Sequence, residues 1–291
     1  MSLHRVGRGE AAALAEQPAT MGMCGYARAV VAGAAPPRLV HAEHRAPLAL
    51  QRLLRPEPDV AHLMVLSPTG GVLQGDELDL DVTARDRATL RVTTQSATRM
   101  HASPETAAYQ HVRLRASGGA YLEHLPRPTI LFDGARLAQR CDVEADGDAT
   151  VVLADALVSG RLRRGERYGF ASFASQLEIR VDGEPVVVEA GEMAPGRCVP
   201  GPVVTGGQPA VASLYAVGPA TADLVAPAQA AVAERVAALD GFAGVTPLRN
   251  RAGLAVKVAA SDRRSAQAVL EAAWRVVRTG AIGPPPVALW P

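Results

Sequence analysis

The feature that most limits how this chain can fold is a long succession of short segments that alternate apolar and polar residues, each closed by turn-forming residues. Residues 77–83 put Leu78, Leu80 and Val82 on one face and Glu77, Asp79 and Asp81 on the other, the pattern of a half-buried strand. Residues 89–94 and 110–115 alternate likewise. The apolar run 60–66 ends at Ser67-Pro68-Thr69-Gly70-Gly71, and strand patterns continue over 120–125, 136–143, 150–157, 172–181 and 185–189. Ser117-Gly118-Gly119, Asp133-Gly134, Asp146-Gly147-Asp148 and Asp182-Gly183 separate them. Strands at intervals of about ten residues predict an all-β sandwich, a barrel or a stacked β solenoid. No fixed-period repeat is visible, so a solenoid of regular sequence repeats is not supported.

The last third changes character. Residues 223–239 are Ala-rich, with Val225, Val232, Val236 and Leu239 at helical spacing and Gly241 just beyond. Residues 253–259 read as another strand. Ser261 then reads as the cap of a second helix with the stripe Val269, Leu270, Ala273, Trp274 and Val277, and Gly280 as its stop. A Pro-rich tail follows, and residues 195–209, rich in Gly and Pro, read as a long loop. The expected fold is mainly β, stacked sheets with two C-terminal α-helices. The expected organisation is an N-terminal segment (1–25) and one domain (26–291), divided into a β-rich core to 220 and a helix-strand-helix end with the tail.

Composition narrows the function. Thirty Lys plus Arg against 29 Asp plus Glu leave a net charge of +1, which argues against binding nucleic acid through a basic face. No run approaches the ~20 apolar residues that span a bilayer, so no membrane association is expected. Glu16 and Gln17 interrupt what would be a signal-peptide core. The three cysteines, Cys24, Cys141 and Cys198, are far apart and form no C-x-x-C pair, so neither a zinc ribbon nor a disulfide framework is expected, and a cytoplasmic location is.

Few residues announce chemistry. Gly70 to Asp76 is Gly-rich but lacks the Lys-Ser/Thr of a phosphate loop and precedes a strand. It reads either as a glycine-dependent turn or as a bend that points Asp76 into a cavity. His41 and His44 would face opposite sides of a strand, a poor chelating pair. His62 interrupts an apolar strand shortly before the glycine turn. No G-x-S-x-G elbow is present. Carboxylate pairs drawn from Asp76, Asp155 and Glu166 would suit a β-solenoid or β-sandwich carbohydrate-active enzyme, although only 4% of residues are aromatic. Arg161, Arg163 and Arg164 form a basic cluster, either a solvated turn or a contact for an acidic partner surface.

Four segments in order resemble the UreD (UreH) family of urease accessory proteins. They are Ser67-Pro68-Thr69-Gly70-Gly71 leading to Gly75-Asp76, Thr93 to Thr98, Leu125-Pro126-Arg127-Pro128-Thr129-Ile130-Leu131-Phe132-Asp133-Gly134-Ala135, and Leu157 through Gly160-Arg161 to Gly165-Glu166. The closing tail with Trp290 also fits. Gln74 stands where the family often has glycine, and Asp155 is the acid nearest to where it often has Glu. The resemblance implies a β-helix-like stack with two helices and no catalytic turnover. It implies binding to UreF, and through UreF to the GTPase UreG, and docking on the urease structural subunits. It further implies no tightly bound cofactor and transient Ni2+ in an internal water-filled tunnel. Carboxylate, hydroxyl and carbonyl ligands would hold such an ion briefly, where a thiolate cage would trap it. Asp76, His62, Asp133, Asp155 and Glu166 are the expected lining. Arg161, Arg163, Arg164 and Trp290 are the expected partner contacts.

Overall fold

The computed structural model describes residues 22–57, 59–195 and 205–283. Among the described residues, eighteen strands form two sheets. The first holds, in spatial order, β15 (Glu184–Met193), β14 (Ser172–Val181), β12 (Arg136–Ala145), β9 (Ala108–Ala116), β6 (Glu77–Arg85), β1 (Cys24–Ala32) and β2 (Arg38–Arg45). The second runs through β17 (Gly241–Pro247), β18 (Gly253–Ala260), β16 (Ala210–Val217), β13 (Thr150–Val158), β10 (Tyr121–His124), β7 (Thr89–Thr94), β5 (Val60–Leu66) and β3 (Ala49–Leu50). Short strands β4 (Leu54–Glu57), β8 (Thr98–Met100) and β11 (Thr129–Leu131) pair at its margin.

From β5 to β14 the chain passes from one sheet to the other and back, and strands that follow in the same sheet pair in parallel. Leu78 lies beside Gln110, Val112 beside Cys141 and Leu137 beside Phe173. Leu90 lies beside Leu122, and Leu122 beside Val151. This is a β-helix-like stack. The step between partners varies from 29 to 36 residues across these pairs, which is why no fixed period shows in the sequence. The expected strands over 60–66, 89–94 and 172–181 are realised with those bounds. Strands β16 and β17 were not expected, and β1 begins at Cys24, just ahead of the expected domain boundary.

Alternation sets the layers. Leu78, Leu80, Val82 and Ala84 of β6 point inward to the core between the sheets, with Leu63, Leu90, Leu122 and Leu153 opposite. A second core forms on the outer face of the second sheet, where Tyr121, Val152, Leu214 and Val256 meet two helices, α1 (Val225–Val236) and α2 (Arg263–Ile282). The expected stripe of α2 is the buried one: Val269, Leu270, Ala273, Trp274 and Val277. Full burial of each large member contributes about 1.5–3 kcal/mol.

Three helix boundaries differ from expectation. Asp262, not Ser261, caps α2, accepting from the backbone N–H groups of Arg264 and Ser265; its carboxylate outcompetes a hydroxyl for two donors. Gly280 does not stop the helix, which continues to Ile282 and closes at Gly283. Gly241 opens β17 rather than closing α1. The tail with Trp290 and most of the 195–209 loop lie outside the described residues.

Candidate functional site

Between the sheets lies a cavity of about 510 Å³. Its walls follow from strand register. In the first sheet Gln110 of β9, Gln139 of β12 and Ser175 of β14 are side by side. In the second, Asp155 of β13, Ser213 of β16 and Lys257 of β18 are side by side. All six line the cavity, so the two rows face one another across the interior. Gln139 Nε2 spans the gap and donates to Asp155 Oδ2 at 2.9 Å. One level along, Cys141 and Glu189 line the first wall and Tyr215 and His124 the second.

The electrostatics follow from burial. Loss of water pushes the Asp155 carboxyl up, opposed by the Gln139 hydrogen bond, the Ala156 main chain and the charge of Lys257. Burial, with Asp155 and Asp142 nearby, pushes the Cys141 thiol well up, so it is not a thiolate ligand at neutral pH. His124 is 5% exposed and its Nδ1 has no hydrogen-bond partner among the described residues. Burial lowers its imidazole to about 4 and keeps it neutral. Lys257 Nζ donates to Glu189 Oε2 at 2.6 Å and to the Tyr215 hydroxyl. Burial and the Glu189 carboxylate hold that phenol protonated. Lys257 and Glu189 are about half exposed, so they stand where the cavity opens to solvent, beside Phe242. On the far side the cavity is bounded by Thr69, Gly70, Gly71, Gln95, Ser96 and Thr98, parts of the first two family-like segments.

Of the expected lining residues, the fold places only Asp155 in this cavity. Asp76 is buried at the glycine turn, where Oδ1 accepts from Met23 N–H and Oδ2 from Leu73 N–H, both at 2.9 Å. The turn needs its glycines: Gly75 has φ 72°, and a Cβ on Gly71 would lie 2.5 Å from the Arg99 carbonyl oxygen. His62 sits on the outer face of β5 with Nε2 2.8 Å from Thr93 Oγ1; burial and then Arg91 lower its pKa. Asp133 and Glu166 meet at another corner. There Arg161 pairs with Glu166 and lies 4.4 Å above the Phe132 ring, while His101 packs edge-on against the same ring. Arg163 and Arg164 are exposed in a 3-10 turn over Leu162–Arg164. Asp76, Asp155 and Glu166 therefore do not converge on one groove. Among the described residues no group of three or more His, Cys, Asp or Glu is placed to hold a metal ion, and no helix is long and apolar enough to cross a membrane.

The family model described as UreD urease accessory protein matches residues 24–291. The chain belongs to the UreD family of urease accessory proteins. It is 35% identical over 255 residues to the urease accessory protein UreD of Delftia acidovorans, covering 82% of this chain and 84% of that one. It is 34% identical to the UreD of Haloquadratum walsbyi, covering 85% and 82%. With the UreD of Cupriavidus pinatubonensis the identity is 32%, over 85% and 87%.

The cavity residues that sequence reading missed share one signal. Gln110, Gln139, Ser175, Ser213 and Lys257 each occupy the inward parity of a strand whose neighbours at that parity are mostly apolar, such as Val112, Leu137, Phe173, Val211 and Ala255. Lys257 carries a second signal: it is the sole lysine among 291 residues.

Proposed function

We propose that this chain is a non-catalytic urease maturation factor whose interior cavity gives nickel(II) a hydrated passage toward apo-urease. It works in the cytoplasm with UreF and, through UreF, with UreG, and it docks on the urease structural subunits. One observation carries the reading: two facing polar rows between otherwise apolar sheets, with one carboxylate, amides, hydroxyls, one ammonium and no thiolate. Such a set offers oxygen ligands in ones and twos. An ion meeting them exchanges readily, whereas a closed cage of thiolate and imidazole would retain it. The Arg161–Glu166 corner and the exposed Arg163 and Arg164 are the proposed partner surface, because exposed guanidinium forks suit carboxylates on another protein.

Filling the cavity tests this. Ser213→Trp and Ser175→Phe place bulk where the rows face each other. Co-produced urease should assemble and still co-purify with the accessory proteins, but its nickel content should drop about tenfold or more. Full nickel loading with both variants folded would refute the passage.

A further inference from the structure

We infer that Lys257 is a displaceable internal counter-ion, occupying with its ammonium group the place that a divalent cation takes between Asp155 and Glu189. The inference rests on the passage proposed above and adds how the passage releases its ion.

Three observations support it. Lys257 lies on the same cavity wall as Asp155, one strand beyond Ser213, and its charge acts on that carboxyl. Its Nζ also reaches the opposite sheet, 2.6 Å from Glu189 Oε2 on β15. One ammonium thus pairs directly with Glu189 and the Tyr215 hydroxyl, acts through space on Asp155, and bridges β18 of one sheet to β15 of the other. Finally, every other fixed cation of the chain is arginine, 29 of the 30 basic residues, and the one lysine stands here. The choice has a physical consequence. A guanidinium is a rigid planar fork that locks bidentately onto carboxylate, while an ammonium is a point charge on a flexible stem that can swing aside with little geometric loss.

The same charge sets the affinity. With the lysine present, an arriving dication must displace a cation before it meets the two carboxylates, and the returning ammonium helps expel it. Without the lysine, Asp155 and Glu189 lose the cation nearest to them both, and they would hold a dication more tightly. Lys257 therefore keeps the passage from becoming a trap.

The test is nickel(II) binding to the full-length protein by equilibrium dialysis, with Lys257→Met, Lys257→Arg, Asp155→Asn and Glu189→Gln. Lys257→Met should bind nickel about tenfold tighter than the parent and release it more slowly to a chelator. Lys257→Arg, which keeps the charge, should not bind tighter than the parent, and the two carboxylate variants should bind more weakly. Lys257→Gln repeats the test if methionine disturbs folding. Weaker binding by the Asn and Gln carboxylate variants, with unchanged or weaker binding by both neutral lysine variants, would overturn the counter-ion and leave the passage standing. Parent-like binding by all variants would overturn both.

Because the chain has a single lysine, reductive ¹³C-methylation labels only that side chain and the amino terminus. Nickel(II) should broaden the Lys257 methyl signal at substoichiometric amounts; an unaffected signal at saturating nickel would contradict the proposal.

Discussion

Glu123 and His124 are neighbours on β10, yet they point to opposite faces of the second sheet and into opposite kinds of polar environment. Glu123 faces the helices and is fully buried. Its carboxylate accepts from Arg91 Nε at 3.0 Å, Arg278 Nη1 at 2.8 Å, Tyr121 Oη at 2.8 Å and Trp274 Nε1 at 2.8 Å. Glu57 adds a second carboxylate to the two arginines, 2.8 Å from Arg278 Nη2 and 3.0 Å from Arg91 Nη2. The Glu123 carboxylate is thus saturated with four donors, even though Arg278 Nε has no hydrogen-bond partner among the described residues, and the network fastens α2 to the sheet. On the inner face, His124 has an unpartnered nitrogen and Asp155 one side-chain hydrogen bond, from Gln139. The contrast separates two kinds of buried carboxylate in one sheet: one with every lone pair taken holds the fold, and one left incompletely coordinated is the one assigned to the proposed passage.

The largest effect that could break this comparison lies on the saturated side. Glu123→Ala leaves Arg91 and Arg278 buried with too few partners and should cost about 3–5 kcal/mol in urea unfolding, whereas Asp155→Asn should cost under about 1 kcal/mol. Equal losses would erase the distinction. Next comes the response of His124 to acid. Burial holds its imidazole neutral to about pH 4, below the roughly 6.5 of an unfolded chain. The unfolded state therefore takes up the proton first. Stability is intact above about pH 6.5, falls as pH drops and levels off below about pH 4, a loss of about 3 kcal/mol. His124→Leu should remove that part of the acid sensitivity; identical pH profiles for parent and variant would show that the inner face does not hold the ring neutral. The smallest effect sharpens the account of α2. Asp262→Ala removes a cap that accepts from two backbone N–H groups and should cost about 1 kcal/mol by thermal unfolding, well short of Glu123→Ala, because the helix is held by its ion network and apolar stripe.

Much of the fold was legible because alternation is a direct consequence of strand geometry. Residues 60–66, 89–94 and 172–181 declared themselves by pattern and by their closing turns. The continuous apolar character of β16, Ala210–Val217, hid it, since a strand covered on both faces shows little alternation. The site was far less legible. Asp76, Asp133 and Glu166 sit within family-like segments because those segments build turns and corners: the Asp76 carboxylate serves backbone N–H groups, and that of Glu166 serves Arg161 and the Asp133 main chain. Asp155 is singled out as the acid just ahead of the fourth family-like segment, and it is also a charge amid apolar strand residues. By the same reasoning Gln139, Ser213 and Lys257 were within reach, but their union depends on register across strands far apart in sequence, which local pattern does not specify.

The most direct measurement of the central claim is anomalous diffraction at the nickel edge from crystals of the full chain exposed to nickel(II). The account predicts partially occupied peaks between the two polar rows, within reach of Asp155, and stronger ones there in Lys257→Met crystals. Peaks confined to exposed histidines such as His41 and His44, with none between the sheets, would contradict it.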